Sequence, residues 1–171
     1  MEGCDSLGIL DILPGRKKEA GVHFKKFTQT DERYSLELPE HWRVVDISSE
    51  YGYVFSDEHR QQGVLAVRCL SALFSNVEKY AGDLIAGMQK KNNYKLVSTQ
   101  KLNVNGMEAV ETVFKADAFV NEERANAAII NLIIHYPPRA RFFVISYSVL
   151  QKDANKYAII YSRARDSFRV Y

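Results

Sequence analysis

Residues 125–136 read ANAAIINLIIHY, apolar at nearly every position and rich in isoleucine. A strand with apolar residues on one face can lean on a single layer. One that is apolar on both faces must be covered on both. The Asn121-Glu122-Glu123-Arg124 run before it and Pro137-Pro138 after it bound the segment. The length between these breaks suits a strand better than a helix. This stretch therefore predicts a central strand with a packed layer above and below the sheet.

Its surroundings read as strands too. YKLVSTQKLNV and MEAVETVFKA, about 94–104 and 107–116, flank Asn105-Gly106, a dipeptide that favours a two-residue hairpin turn. ARFFVISYSVL (140–150) is the strand returning from Pro137-Pro138. Nearer the N-terminus, Tyr34, Leu36 and Leu38 alternate with Ser35 and Glu37 before Pro39, the mark of a half-buried strand. Pro39 has no amide donor and stops the pairing. Glu40 and His41 turn the chain, and the single tryptophan, Trp42, starts an extended segment. YGYVF (51–55) and GVLAVRCL (63–70) add two strands, joined by the polar loop 56–62.

Two helices interrupt the strands. The first is predicted to open on Ser75 with Glu78 completing a capping box. Val77, Tyr80, Ala81, Leu84, Ile85 and Met88 share one of its faces, and Gly82 and Gly87 weaken it, so tertiary packing must hold it. The second runs from about Asp153 to Ser167, with Tyr157, Ile160, Tyr161, Ala164 and Phe168 as its apolar stripe. The sum is an α+β chain: an α/β/α sandwich with a central, mainly antiparallel sheet of about six or seven strands flanked by helices. Residues 1–21, with Pro14-Gly15 and the Arg16-Lys17-Lys18 run, read as an arm or linker to a domain over 22–171.

Twenty-three basic and twenty-one acidic residues leave a net charge of +2, without the concentrated basic face of a nucleic-acid binder. No window of about eighteen apolar residues is present for a membrane span. Two cysteines make no disulfide framework. Cys69, within an apolar run, reads as a buried thiol. Cys4 follows Gly3, as at the end of a bacterial lipoprotein signal, although the apolar stretch of such a signal is absent. Two readings stand for Cys4, a lipid attachment site and a tail cysteine without a role.

Enzyme motifs do not emerge: there is no Gly-x-Ser-x-Gly, phosphate loop or dinucleotide fingerprint, and no metal spacing of the Cys-x-x-Cys or His-Glu-x-x-His kind. The expectation is a protein that is not an enzyme and takes no cofactor. A Cys69/His135 pair and the core polar groups Asn131 and His135 are the remaining catalytic or ligand candidates. Asp57-Glu58-His59 in the polar loop is the best candidate for a surface metal site. Tyr157, Tyr161, Arg163, Arg165 and Arg169, with Tyr171, form a candidate partner surface, since Arg and Tyr are enriched at interface hot spots.

A strand ending in proline, a polar pair and a tryptophan, here Tyr34 to Trp42, resembles the Pro-x-x-Trp opening of the PsbP-like superfamily. That superfamily includes PsbP and CyanoP proteins, DcrB-type envelope proteins and Ran-binding Mog proteins. The likeness extends over about residues 22–171, through the Asn105-Gly106 hairpin to the closing Ser167-Phe168-Arg169-Val170. It implies an α/β/α sandwich in which Pro39 ends an edge strand and Trp42 plugs one end of the core. It also implies a binding or accessory protein of the bacterial envelope, periplasmic, with a protein partner, to which the lipid reading of Cys4 would add a membrane anchor. The alternative it implies is a cytoplasmic regulator similar to the Mog proteins.

Overall fold

The computed structural model describes residues 22–171 except 49, 61, 73–75, 92 and 121–122, and the side chains of 118–120 and 123–124. Residues 1–21, with Cys4, and Ser75 lie outside the described residues. Strands β1 (Phe24–Gln29), β2 (Tyr34–Pro39), β3 (Arg43–Ser48), β4 (Gly52–Ser56) and β5 (Val64–Ser71) precede helix α1 (Val77–Gln89). Then come β6 (Tyr94–Val104), β7 (Met107–Val120), β8 (Glu123–Tyr136) and β9 (Arg141–Leu150). Helix α2 (Ala154–Ser167) and the short β10 (Arg169–Val170) close the chain.

Seven strands form one antiparallel sheet in the order β3-β4-β5-β9-β8-β7-β6. The segment apolar on both faces is β8, between β9 and β7, as its composition demands. Ile130, Leu132 and Ile134 point to one face of the sheet, and Ile133 to the other. On the second face α1 lays Val77 and Ala81 over Val110, Ile133, Phe142 and Val144. The N-cap of α1 is Asn76, whose Oδ1 accepts the Lys79 amide at 2.7 Å. Asparagine is as good a cap as the serine expected one residue earlier. No helix among the described residues is long and apolar enough to cross a membrane.

The first face is covered differently from expectation. Strands β1, β2 and β10 form a separate three-stranded sheet, in the order β1-β2-β10. Together with α2 it buries Tyr34, Leu36, Leu38, Ile160, Tyr161, Ala164 and Phe168 against the large sheet. This makes β2 the middle strand of its sheet rather than an edge, and Ser35 is buried with the alternating apolar residues. At Pro39 only β1 is alongside, because β10 reaches no further than Tyr34 and Ser35. The proline therefore forfeits no ladder bond on that side.

The Pro39–Trp42 segment is the corner where the chain leaves the small sheet for the large one. The Trp42 amide donates to the Pro39 carbonyl at 2.9 Å, closing a four-residue turn over Glu40 and His41. The Glu40 amide donates to the His23 carbonyl at 2.8 Å. Trp42 is 3% exposed and fills the corner, with its Nε1 donating to Gln62 Oε1 at 3.1 Å.

Asn105 and Gly106 both take positive φ, 53° and 88°, the backbone that such a turn needs between β6 and β7. Asn105 has a second use: its Nδ2 donates to the Phe168 carbonyl at 2.9 Å and ties the turn to the end of α2. Strands β7 and β8 run to Val120 and from Glu123, so the charged loop is shorter than its composition suggested. Cys69 is half-buried rather than buried, and burial raises its thiol pKa. It points to the face of α2, beside Phe143, whereas His135 packs on Phe142 of the opposite face, so the two form no pair.

Candidate functional site

Between α2 and the large sheet lies a cleft of about 200 Å³. Its origin is the size of the residues that face each other. The inner side of the first turns of α2 offers Ala154 and Ala158, and β8 offers Ala128 below them. Three methyl side chains cannot fill a helix-to-sheet gap that bulkier residues close elsewhere. Val113, Ile130 and Tyr147 complete an apolar floor. Val97 adds a wall by way of a β-bulge. Leu96 pairs with Phe114 and Ser98 with Val113, so Val97 is the unpaired extra residue, and it lines the cleft.

A buried polar group supports one end. Glu111 is 1% exposed and lies on the α2 side of β7 with Val113. Its Oε2 accepts from the Tyr161 hydroxyl and its Oε1 accepts from Gln100 Nε2 at 2.7 Å. Arg165 Nη1 stands 4.0 Å from Oε2, and Arg165 Nε donates to Asp166 Oδ1 at 2.8 Å. A carboxylate in the interior is tolerated only with donors and a counter-charge of this kind. Burial, then the charge of Glu111 and the hydrogen bond to it, push the Tyr161 phenol well above its usual range. Tyr161 is thus a donor throughout the physiological pH range. Both carboxylate oxygens of Glu111 are engaged, so the arrangement is suited to holding the shape of the cleft rather than to moving protons.

Tyr147 donates to the Gln62 carbonyl at 2.7 Å, and burial raises its phenol; Tyr34 is raised for the same first cause. For all three tyrosines the folded pKa lies above the unfolded value of about 10. Their contribution to stability is complete below that pH and is lost as pH rises through the folded values. In an ultraviolet alkaline titration three of the ten tyrosines are expected to ionise only when the chain unfolds. Ionisation of every tyrosine in one step, with native circular dichroism retained, would refute this.

The residues proposed from sequence are distributed as follows. Asp57 is turned inward, with Oδ1 accepting the His59 amide at 2.9 Å and Oδ2 the Gln62 amide at 2.7 Å. Glu58 points outward, 3.9 Å from Arg43. The three side chains of Asp57-Glu58-His59 do not gather into a cluster of potential ligands, and no such group of three occurs among the described residues. The aromatic and basic set of the C-terminus divides in two. Tyr161 and Arg165 line the cleft, and Tyr161, 3% exposed, is no part of the surface. Helical geometry separates them from Arg163, which lies outside, ion-paired with Glu37 and 5.9 Å from the centre of the Phe24 ring. Tyr157 is half-buried, and Arg169 Nη1 donates to the carbonyls of Asp166 and Phe168 at 3.0 and 2.8 Å.

Asn131 and His135 do not line the cleft. Asn131 Oδ1 accepts from Ser146 Oγ at 2.7 Å and its amide approaches Met88 Sδ of α1, on the other face. Glu111 escaped notice in the sequence, although a signal was there. Ala109, Glu111 and Val113 share a face of a strand, and a carboxylate between two apolar residues on a buried face needs partners.

No protein-family model matches the sequence, and no curated protein matches it by sequence. Solved structures do share its fold. The cyanobacterial PsbP protein CyanoP from Synechocystis superposes with a TM-score of 0.66 at 13% identity, over 92% of this chain and 99% of that one. The Ran-binding protein Mog1p of Saccharomyces cerevisiae gives 0.63 at 10% identity, over 88% and 96%. LpqN of Mycobacterium tuberculosis, described as involved in cell envelope biogenesis, gives 0.60 at 10% identity, over 97% and 98%. The chain thus has the PsbP-like fold expected from its Pro-x-x-Trp turn.

Proposed function

We propose that this chain is a non-enzymatic binding protein of the bacterial envelope that acts by burying surface against a protein partner, with Cys4 as a lipid attachment point. The observation that carries the reading is the outer side of α2. Ile159 is 45% exposed, with exposed Arg163 one turn beyond it. The backbone of Ile159 and Arg163 is held by a packed helix, so little ordering entropy is lost when a partner docks. Isoleucine and arginine together supply the apolar contact and directed hydrogen bonds of an interface centre. The fold shared with an envelope protein supports the compartment. A fold shared with Mog1p supports a second reading, a cytoplasmic regulator that uses the same face.

Two measurements test these readings. In its native host the protein is expected to partition into the detergent phase with a diacyl or triacyl mass on a chain beginning at Cys4. An unmodified aqueous-phase protein removes the lipoprotein reading and leaves an unanchored interaction domain, cytoplasmic if Met1 is retained and periplasmic if a leader has been removed. A photocrosslinker at Ile159 is expected to trap one partner that a crosslinker at exposed Asp83, on α1, does not. Arg163→Glu should weaken that complex by roughly ten-fold or more. Equal crosslinking from both positions would sink the proposed face.

A further inference from the structure

The cleft under α2 has a chemistry that the outer surface does not use, and its assignment stands independently of the partner reading. We propose that it binds a short to medium alkyl chain ending in an anion, with the chain on the apolar floor and the anion at Lys115 and Arg165.

Four features lead there. The floor of Val113, Ala128, Ile130 and Tyr147 offers a chain apolar contact and no hydrogen-bonding demand. At roughly 30 Å³ for one water, and nearly the same for a methylene group, the cleft of about 200 Å³ holds on the order of six to eight carbons. The bulge commits Val97 to the wall while leaving it 38% exposed, an apolar surface that a bound chain would cover.

Charge decides the other end of the ligand. Lys115 follows Val113 by two residues and so shares its face of β7; it lines the cleft, is exposed, and has no ion pair among the described residues. Arg165 is the second cation of the lining, already engaged by Asp166 at Nε and 4.0 Å from Glu111 at Nη1, and so assists Lys115 rather than replacing it. Three acids, Glu111, Asp166 and Asp117, stand around the two cations, so the anion is recruited by the ion-pair-free Lys115 and not by a net positive field. Glu111 is sealed at the base by Tyr161 and Gln100, and Asp166 occupies only the Nε side of Arg165. Asp117 follows Lys115 at the next position of the same face. Asn155 and Ser162 of α2 add hydrogen-bonding groups that suit the oxygens of a carboxylate or sulfate. A neutral chain would gain the floor but nothing from the two cations.

The test is calorimetric titration of the delipidated full chain with octanoate and, separately, octanol. Octanoate is expected to bind at one site, and octanol about ten-fold more weakly, as suits the loss of one charge-assisted contact. Lys115→Glu, an exposed change, should remove most of that difference by weakening octanoate alone. Ala158→Phe, which fills the cleft, should abolish both, with the melting temperature confirming that the variant folds. Should that variant fail to fold, octanoate-induced shifts of the Val113 and Ile130 methyl resonances in the wild type take its place. No binding of either probe, or octanoate binding that survives Ala158→Phe or leaves those methyls unmoved, overturns the site. Equal binding of octanoate and octanol, unchanged by Lys115→Glu, overturns the anionic end. Octanoate and sodium octyl sulfate binding alike assigns the shared chemistry, and a sulfate failing while octanoate binds restricts it to carboxylates.

Discussion

Gly52→Ala is expected to be among the most damaging single changes in the protein, costing more than about 3 kcal/mol. Gly52 has φ +72°, and a Cβ there would stand 2.2 Å from the Val67 carbonyl oxygen and 2.9 Å from the Arg68 Cα. Both obstacles are backbone atoms of β5, locked in the large sheet between β4 and β9, so neither can rotate away. Relief would require β4 to separate from β5 at its first residue, or Gly52 to leave its left-handed conformation and misdirect the β3–β4 turn. For a chain of this size about 3 kcal/mol corresponds to a fall of roughly 6–12 °C in Tm. Gly82→Ala is the matching control. Gly82 lies inside α1 with nothing within 4 Å of a new Cβ, so alanine should stabilise by about 0.4–1 kcal/mol through helix propensity and a less flexible unfolded chain. Opposite shifts in thermal melting are the expected result. A Gly52→Ala variant melting within about 2 °C of wild type would remove the close-approach argument.

Trp42→Ala should cost about 3–5 kcal/mol, as large-to-small changes of a buried aromatic do. The loss has two parts. A void opens at the corner between the two sheets, where Trp42 belongs to the same buried cluster as Leu38 and Phe55. Gln62 Oε1 also loses the indole donor and keeps, among the described residues, the His41 ring nitrogen at 3.1 Å. Gln62 is a node of its loop. Its amide is held by Asp57 Oδ2, and its carbonyl accepts from the Tyr147 hydroxyl. The alanine variant should therefore loosen residues 57–63 as well as melt early, and hydrogen exchange at the Gln62 amide should speed up well before global unfolding. Trp42→Phe keeps most of the packing and loses chiefly one hydrogen bond, worth about 1 kcal/mol. If alanine and phenylalanine variants melt at the same temperature, the corner is not held by the volume of the indole.

Much of the architecture is legible from local pattern, because local pattern has a local cause. The run ANAAIINLIIHY, bounded by a charged loop and Pro-Pro, reads as a strand covered on both faces, and it is the strand between β7 and β9. Asn105-Gly106 turns because these two residues tolerate positive φ at little cost. The Pro39-Glu40-His41-Trp42 turn follows from a missing amide and one large apolar side chain. The stripe Ile160, Tyr161, Ala164 and Phe168 foretells which side of α2 is buried.

What tertiary structure decided has non-local partners. That β2 is the middle of a small second sheet depends on Arg169 and Val170 pairing with Ser35 and Tyr34, far apart in the chain. Nothing in the alternation of β2 indicates which strand lies alongside it. Tyr161, Arg163 and Arg165 look equivalent as a basic and aromatic set. Only the rotation of α2 over the sheet sends two of them to Glu111 and one to Glu37. The cleft is less visible still, for it is a mismatch of volumes. Ala128 on β8, Ala154 and Ala158 on α2, and a bulge that inserts Val97 are unremarkable separately, and they leave a space only when a helix and a sheet bring them face to face. Periodicity dictates which side of an element is buried, since that depends on one chain segment and water. What it is buried against, and how completely, depends on shapes contributed by segments that meet only in the folded protein.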